Sequence, residues 1–232
     1  MPVRVGVVIV AAGSGERMDG IDKLFTPIAG VAIVQRAIEA FERSSLIEEI
    51  VLVVSPDERA HARETVEGAG FVKVAAVAAG GARRQDSVRK GLAALGECDY
   101  VAVHDGCRPL VSGDLIERGL EAARAAGAAV PGLPLAETVK ETDEDGGVVR
   151  TVDRSRLYAI QTPQVFRHDL LLRAHEEVSA DVTDDAAMLE MLGLAVVVFP
   201  GERSNVKITT PEDIALLEGF LESEAIRSAR RS

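Results

Sequence analysis

The chain has 232 residues, 47% of them hydrophobic, a formal net charge of −11 at pH 7 and a pI near 4.9. That length can bury a substantial core in one α/β domain, expected over 1–232, and the acidic balance argues against general nucleic-acid binding. Aromatics make up 3% with no tryptophan, which argues against stacking of bases on rings as a binding mode, and any anion must be gripped by local cations.

No stretch approaches the roughly 20 apolar residues of a membrane span, and the first residues show no secretory pattern. Cys98 and Cys107 are too few for a disulfide scaffold and are not spaced like zinc ligands. The expectation is a reducing cytoplasm, with no membrane partner and no nucleic acid.

The β-branched run over 3–10 predicts a strand buried on both faces, as in a parallel sheet. It breaks into Ala11-Ala12-Gly13-Ser14-Gly15-Glu16-Arg17-Met18, with Lys23 beyond. Small residues let a ligand approach the backbone, whose freed N–H groups can hold an anion. Arg17 adds a forked guanidinium and Lys23 a point charge, two ways of gripping phosphate. Met18 stands where the dinucleotide pattern needs its third glycine, and Ile21 follows Gly20 where a phosphate loop needs lysine. The loop therefore suits a nucleotide or sugar phosphate, the alternative being a purely structural turn.

Beyond a turn at 27–30, helical spacing covers 31–43 and an apolar strand covers 49–54. Ser55-Pro56-Asp57-Glu58 has the form of a capping box. A strand over 71–78 leads into Gly80-Gly81-Ala82-Arg83-Arg84-Gln85-Asp86-Ser87 and a helix to residue 95. A strand over 100–103 ends in His104-Asp105-Gly106-Cys107-Arg108-Pro109, followed by a helix over 112–126 and a short strand over 128–131. Such alternation predicts a Rossmann-like three-layer α/β sandwich with a mostly parallel sheet.

The polar segment 133–154, with Asp143-Glu144-Asp145-Gly146-Gly147 as its turn, predicts a projecting β-hairpin arm. An isolated hairpin is marginal, so a partner surface is expected, the alternative being a solvated arm. Helices are expected over 168–178 and 183–192, a strand over 195–199 and a helix from the capping signature at 210–213. The charged tail over 223–232 is expected to fray.

Ligands of an open α/β sheet sit outside the C-terminal ends of its strands. Convergence of the first, third and fourth strand ends would gather Arg17, Lys23, Arg84 and Arg108 at one crevice. Asp105 is a candidate Mg²⁺ ligand, since that ion takes one or two carboxylates plus phosphate oxygens; the alternative is pairing with Arg108. His104 suits a hydrogen-bonded strand end better than a base, and His61, His168 and His175 fall on charged helices. Thr183-Asp184-Asp185 is explained by a helix dipole, with a share in the pocket as the alternative. Ser14 has no partner histidine.

These residues carry a resemblance. Ala11 to Arg17 with Lys23, Gly80 to Val88, His104-Asp105-x-x-Arg108-Pro109, Thr151-Val152-Asp153-Arg154, Gln161-Thr162-Pro163-Gln164, Thr183-Asp184-Asp185-Ala186 and Asn205-Val206-Lys207-Ile208-Thr209 are all present in order. The chain is thereby similar, end to end, to the 2-C-methyl-D-erythritol 4-phosphate cytidylyltransferases. Gly106-Cys107 departs from the two alanines usual in relatives, though both remain small. The resemblance implies a nucleotidyltransferase fold, CTP and a sugar-alcohol phosphate as substrates, Mg²⁺, and a homodimer that exchanges arms.

By resemblance, Lys23 and Lys207 would hold the α-phosphate and Arg17 the triphosphate. Arg154 and Thr138 would serve the site of the other copy, Arg154 fixing the incoming phosphate with Thr162 nearby, and Arg84, Arg108 and Thr183 would be among the substrate-binding residues. Ala11, Ala12, Gly13 and Gly15 would line the nucleotide, Gly80, Gly81 and Ser87 would read the cytosine, Gly106 would lie against the ribose and Asp105 would carry the metal. A ribitol 5-phosphate cytidylyltransferase is the near alternative; a dinucleotide oxidoreductase or a non-catalytic nucleotide sensor fits the loop and the cations less well.

Overall fold

The computed structural model describes residues 3–13 and 23–229. The first strand is β1 (Val5–Ala11), followed by the two-residue pair β2 (Pro27–Ile28) and β3 (Val31–Ala32), then α1 (Ile33–Arg43) and β4 (Glu49–Val54). Next come α2 (Arg59–Ala69), β5 (Val74–Ala79), α3 (Arg84–Ala94), β6 (Tyr100–Asp105), α4 (Gly113–Ala126) and β7 (Ala128–Pro134). The remainder is β8 (Val139–Thr142), β9 (Val148–Val152), β10 (Tyr158–Ile160), β11 (Gln164–Arg167), α5 (His168–Glu177), α6 (Asp185–Met191), β12 (Val197–Pro200) and α7 (Pro211–Ala229).

The main sheet runs β10-β7-β11-β6-β1-β4-β5, with β12 also on β7. β1 lies parallel between β4 and β6, and β5 continues parallel beyond β4. The apolar run of β1 is explained by its neighbours on both sides. Val5, Val7 and Ile9 enter one core with α1 and α4, while Val8 enters the other with Val88 and Leu92 of α3. Alternate side chains of a strand point to opposite faces, so a strand covered by helices on both faces needs apolar residues throughout.

Three local expectations are corrected, and one strand joins those expected. β6 extends to Asp105, so His104 and Asp105 are strand residues, level with Ile9 and Val10 of β1. The Ser55 hydroxyl makes no capping bond: Pro56–Glu58 forms a 3-10 turn in which the Glu58 N–H donates to the Ser55 carbonyl instead. The tail expected to fray from 223 is helical as far as Ala229. β11 was not legible at all. It lies antiparallel between β6 and β7, after a cis Thr162-Pro163 bond, and is too short and too polar at its ends to show a period.

β8 and β9 pair antiparallel around the Asp143–Gly147 turn, forming an exposed ribbon. β7 and β10, which flank it in sequence, pair antiparallel at its base.

α3, which brings Arg84 and Ser87 to the strand ends, packs closely on the sheet at Gly91. A Cβ there would lie 2.4 Å from Val8 Cγ1 and 2.9 Å from Val53 Cγ2. Gly91→Val therefore overpacks this contact, and we expect a stability loss of about 2 kcal/mol. Urea denaturation should show a lower midpoint with an unchanged slope; an unchanged midpoint would mean that the contact is looser than described.

Candidate active site

The C-terminal ends of β1, β5 and β6 enclose a cavity of about 480 Å³. Its walls include Ala11, Ala12 and Gly13 after β1, Gly81 to Arg84 and Ser87 around the start of α3, and Asp105 and Cys107 at the end of β6. Lys207 and Thr209 come from the segment after β12. The three strand ends expected to converge do so, with this fourth segment closing the side.

Small residues make the wall thin. A Cβ on Gly80 would fall 2.2 Å from Ala12 Cβ, so only glycine lets the two loops approach this closely. The Gly80 carbonyl accepts from Lys90 Nζ at 2.7 Å. Ser87 Oγ accepts from the Gly81 N–H at 3.0 Å and donates to the Arg83 carbonyl at 3.2 Å, tying the glycine loop to α3. Gly106 is buried against Ala11, its N–H donating to the Val10 carbonyl.

Asp105 is the electrostatic centre. Its Oδ1 lies 3.3 Å from Arg84 Nη2, and its Oδ2 lies 3.0 Å from Lys207 Nζ and 3.7 Å from Arg108 Nε. Burial penalises the carboxylate, but Arg84, Lys207 and Arg108 together outweigh that and bring its pKa down to about 2. The pairing with Arg108 weighed from the sequence is present, and two further cations join it.

Each cation is held from behind. Arg108 is buried and donates to the Asn205 carbonyl at 2.8 Å; burial lowers its pKa, with Asp105 opposing. Asn205 is itself buried and donates through Nδ2 to the Thr162 carbonyl, while Gln161 Nε2 donates to the carbonyls of Glu202 and Asn205. The Ile208 N–H donates to the Cys107 carbonyl. These bonds fix the segment that bears Lys207 beside β6.

Arg84 reaches in the other direction as well. Its Nη1 lies 2.6 Å from Asp185 Oδ2, and Asp185 Oδ1 lies 3.0 Å from His175 Nε2. Burial disfavours the Arg84 charge, but Asp185 and then Asp105 outweigh it and raise its pKa above the ordinary arginine value. The helix-dipole reading of Thr183-Asp184-Asp185 holds for Asp184, whose side chain caps α6 at the Ala187 N–H. It misses Asp185, which is 1% exposed and paired with Arg84. His175 is likewise buried rather than on a charged surface.

His104 is fully buried, so it faces no substrate. Its Nε2 lies 3.1 Å from the Arg108 carbonyl, which can only accept, so Nε2 carries the proton. Nδ1 then accepts from the Thr162 hydroxyl, whose oxygen accepts from the Asp105 N–H. Thr162 thus acts here through β6 rather than from the cavity wall.

Other expected residues fall elsewhere. Thr138, Arg154 and Thr183 are exposed and outside the cavity of their own chain. Arg154 Nη1 donates to the carbonyls of Leu135 and Ala136 at the base of the arm. Gly15 and Arg17 lie outside the described residues, as does the side chain of Lys23. Cys98 is remote from the cavity, and burial raises its thiol to about 11.

Comparison with known proteins gives a consistent result. Residues 5–223 match the family described as 2-C-methyl-D-erythritol 4-phosphate cytidylyltransferase. The protein of that name from Dehalococcoides mccartyi is 44% identical over 94% of this chain and 96% of its own length. Its namesake from Pelotomaculum thermopropionicum is 42% identical over 97% and 98%. Among solved structures, 4-diphosphocytidyl-2C-methyl-D-erythritol synthase from Anaerococcus prevotii superposes with a TM-score of 0.84 at 30% identity, over 96% of this chain and 100% of that one. The Thermus thermophilus 2-C-methyl-D-erythritol 4-phosphate cytidylyltransferase gives 0.76 at 32%, over 96% and 100%.

Burial lowers the pKa of His104 from 6.5 to about 4, with the bond to Arg108 opposing. The unfolded chain therefore binds a proton that the folded chain refuses between these pH values, and the stability from neutral His104 is lost as pH falls through that window. Wild-type protein should lose about 3 kcal/mol between pH 6.5 and 4 from this group. His104→Gln should flatten that part of a urea-denaturation pH series; an unchanged slope would place the titration elsewhere.

Proposed function

Belonging to the 2-C-methyl-D-erythritol 4-phosphate cytidylyltransferase family, the chain, we infer, transfers CMP from CTP to 2-C-methyl-D-erythritol 4-phosphate. The products are 4-diphosphocytidyl-2-C-methyl-D-erythritol and pyrophosphate. The observation that carries this reading is the meeting of Arg84, Arg108 and Lys207 around Asp105, of which Arg84, Lys207 and Asp105 line a cavity that alanines and glycines also wall.

In the reaction, an oxygen of the sugar-alcohol phosphate bonds to the α-phosphorus of CTP, and the bond from that phosphorus to the bridging oxygen breaks. The electron pair leaves with pyrophosphate. A phosphate monoester has a second pKa of about 6, so the nucleophile is ionised at neutral pH without a general base. A buried, neutral His104 is in keeping with that. The barrier is repulsion between anions together with charge growing on the α-phosphate and leaving group, and cations fixed beforehand lower both.

Lys207 would leave Asp105 for the α-phosphate, working with Lys23, while Arg17 holds the triphosphate. Backbone groups of Ala11, Ala12, Gly13 and Gly15 would line the nucleotide. Gly80, Gly81 and Ser87 would read the cytosine, because a rigid loop discriminates by the position of its N–H and carbonyl groups, and Gly106 would lie against the ribose. Arg108 would stand near the incoming phosphate, joined by Arg154, Thr138 and Thr183, with Thr162 supporting the site from behind through β6.

Asp105 fits a magnesium ion, since it brings an ionised carboxylate with lone pairs beyond those its cations use. Among the described residues no three His, Cys, Asp or Glu side chains gather as a metal cage, so Asp105 would hold Mg²⁺ alongside substrate phosphates. Bound there, the ion would neutralise phosphate charge. The arm formed by β8 and β9 would reach a second copy and deliver Arg154 and Thr138 to its cavity, making a homodimer. Cys98 and Cys107 are not joined in a disulfide, in keeping with a reducing cytoplasm, and no helix among the described residues is long and apolar enough to cross a membrane.

Pyrophosphate release from CTP and Mg²⁺ tests the substrate assignment. Release with 2-C-methyl-D-erythritol 4-phosphate and little with ribitol 5-phosphate is expected; the reverse preference would overturn it. For the shared site, Lys207→Ala and Arg154→Ala should each lower kcat by about 10²–10³. When the two variants are co-expressed, mixed dimers keep one intact site, so about a quarter of wild-type activity should return. Absence of recovery would mean that Arg154 serves its own chain.

A further inference from the structure

Behind the cavity, a line of paired polar side chains runs from α5 through α6 to the start of α3. His175 Nε2 meets Asp185 Oδ1 at 3.0 Å, Asp185 Oδ2 meets Arg84 Nη1 at 2.6 Å, and Arg84 Nη2 meets Asp105 Oδ1 at 3.3 Å. Cytidylyl transfer as described above uses neither His175 nor Asp185. We propose that Asp185, oriented by His175, is a positioning residue that sets the Arg84 guanidinium at the nucleotide cavity and thereby fixes how Asp105 is shared between Arg84 and Lys207. This deepens the cytidylyltransferase reading and rests on it.

Three observations support the assignment. Asp185 is 1% exposed, and a buried carboxylate is costly unless each oxygen is paired. Here one oxygen faces His175 and the other faces Arg84, so the carboxylate is oriented as well as neutralised. Arg84 lines the cavity while the groups that orient it do not, which separates the contacting residue from its support. Finally, Arg84 spans two carboxylates. Without Asp185 it would swing fully onto Asp105 and displace Lys207 from the shared oxygen pair, changing the charge that an incoming triphosphate meets.

Asp185→Asn keeps the shape of the side chain but loses the charge and turns one acceptor oxygen into a donor, so the ion pair with Arg84 is lost even where the amide oxygen still accepts a hydrogen bond. A misplaced binding group typically costs about tenfold or more, so kcat/KM for CTP should fall about tenfold, mainly through KM for CTP. KM for the polyol phosphate should hardly move. The decisive measurement is a double-mutant cycle with Arg84→Ala: a residue acting only through Arg84 loses its effect once Arg84 is gone, so the double variant should match Arg84→Ala within about twofold.

A purely structural Asp185 would give the same fold-loss in both backgrounds, and that result, or no loss in either, overturns the proposal. Should Asp185→Asn not fold, the cycle is run with His175→Leu, which removes only the orienting donor, and the same dependence on Arg84 is required. A wild-type protein that releases no pyrophosphate would overturn the cytidylyltransferase reading instead, so the two failures are distinguishable.

Discussion

The site depends on one carboxylate keeping company with three cations. At an effective dielectric of about 20, two like charges some 6 Å apart repel by about 3 kcal/mol. Arg84, Arg108 and Lys207 would push one another apart at the strand ends if Asp105 were absent. With its oxygens 3.0 to 3.7 Å from all three groups, Asp105 gathers them without cancelling them. The cluster stays net positive inside a chain that is net −11, which is the condition for drawing in an anionic substrate.

The fold can be read as support for that arrangement. β6 runs two residues further than its apolar stretch and delivers Asp105 to the level of Val10. Its backbone is fastened by Thr162, the hydroxyl of which also satisfies His104, so one side chain serves a strand end and a buried imidazole. Asn205 and Gln161 hold the segment that carries Lys207, and Asp185 holds Arg84. None of these supports is on a mobile surface; each is buried, where hydrogen bonds go uncontested by water.

The glycines work in the same direction from the other wall. Gly80 against Ala12 and Gly91 against Val8 and Val53 bring the loop after β5 and the helix after it closer to the sheet than any side chain would allow. Charges can therefore be fixed on one side of the cavity while the opposite side stays thin enough for a ligand to touch backbone.

The sequence by itself determined the layers of the sandwich, because continuous β-branched runs and helical periods are local signals; 49–54 was located to the residue, and α4 and α5 to within one at each end. It also marked the strand ends where chemistry collects, since glycines, prolines and cations interrupt those runs visibly. What only the tertiary structure decided is the company each charge keeps. β11 has no period to betray it, and the pairing of Arg84 with Asp185 joins residues 101 apart, with His175 arriving from a third element. Such contacts arise when the sheet and its helices close around buried charge. No local pattern records them, because the free energy that selects them comes from desolvation and pairing across the fold rather than from the backbone preferences of neighbouring residues.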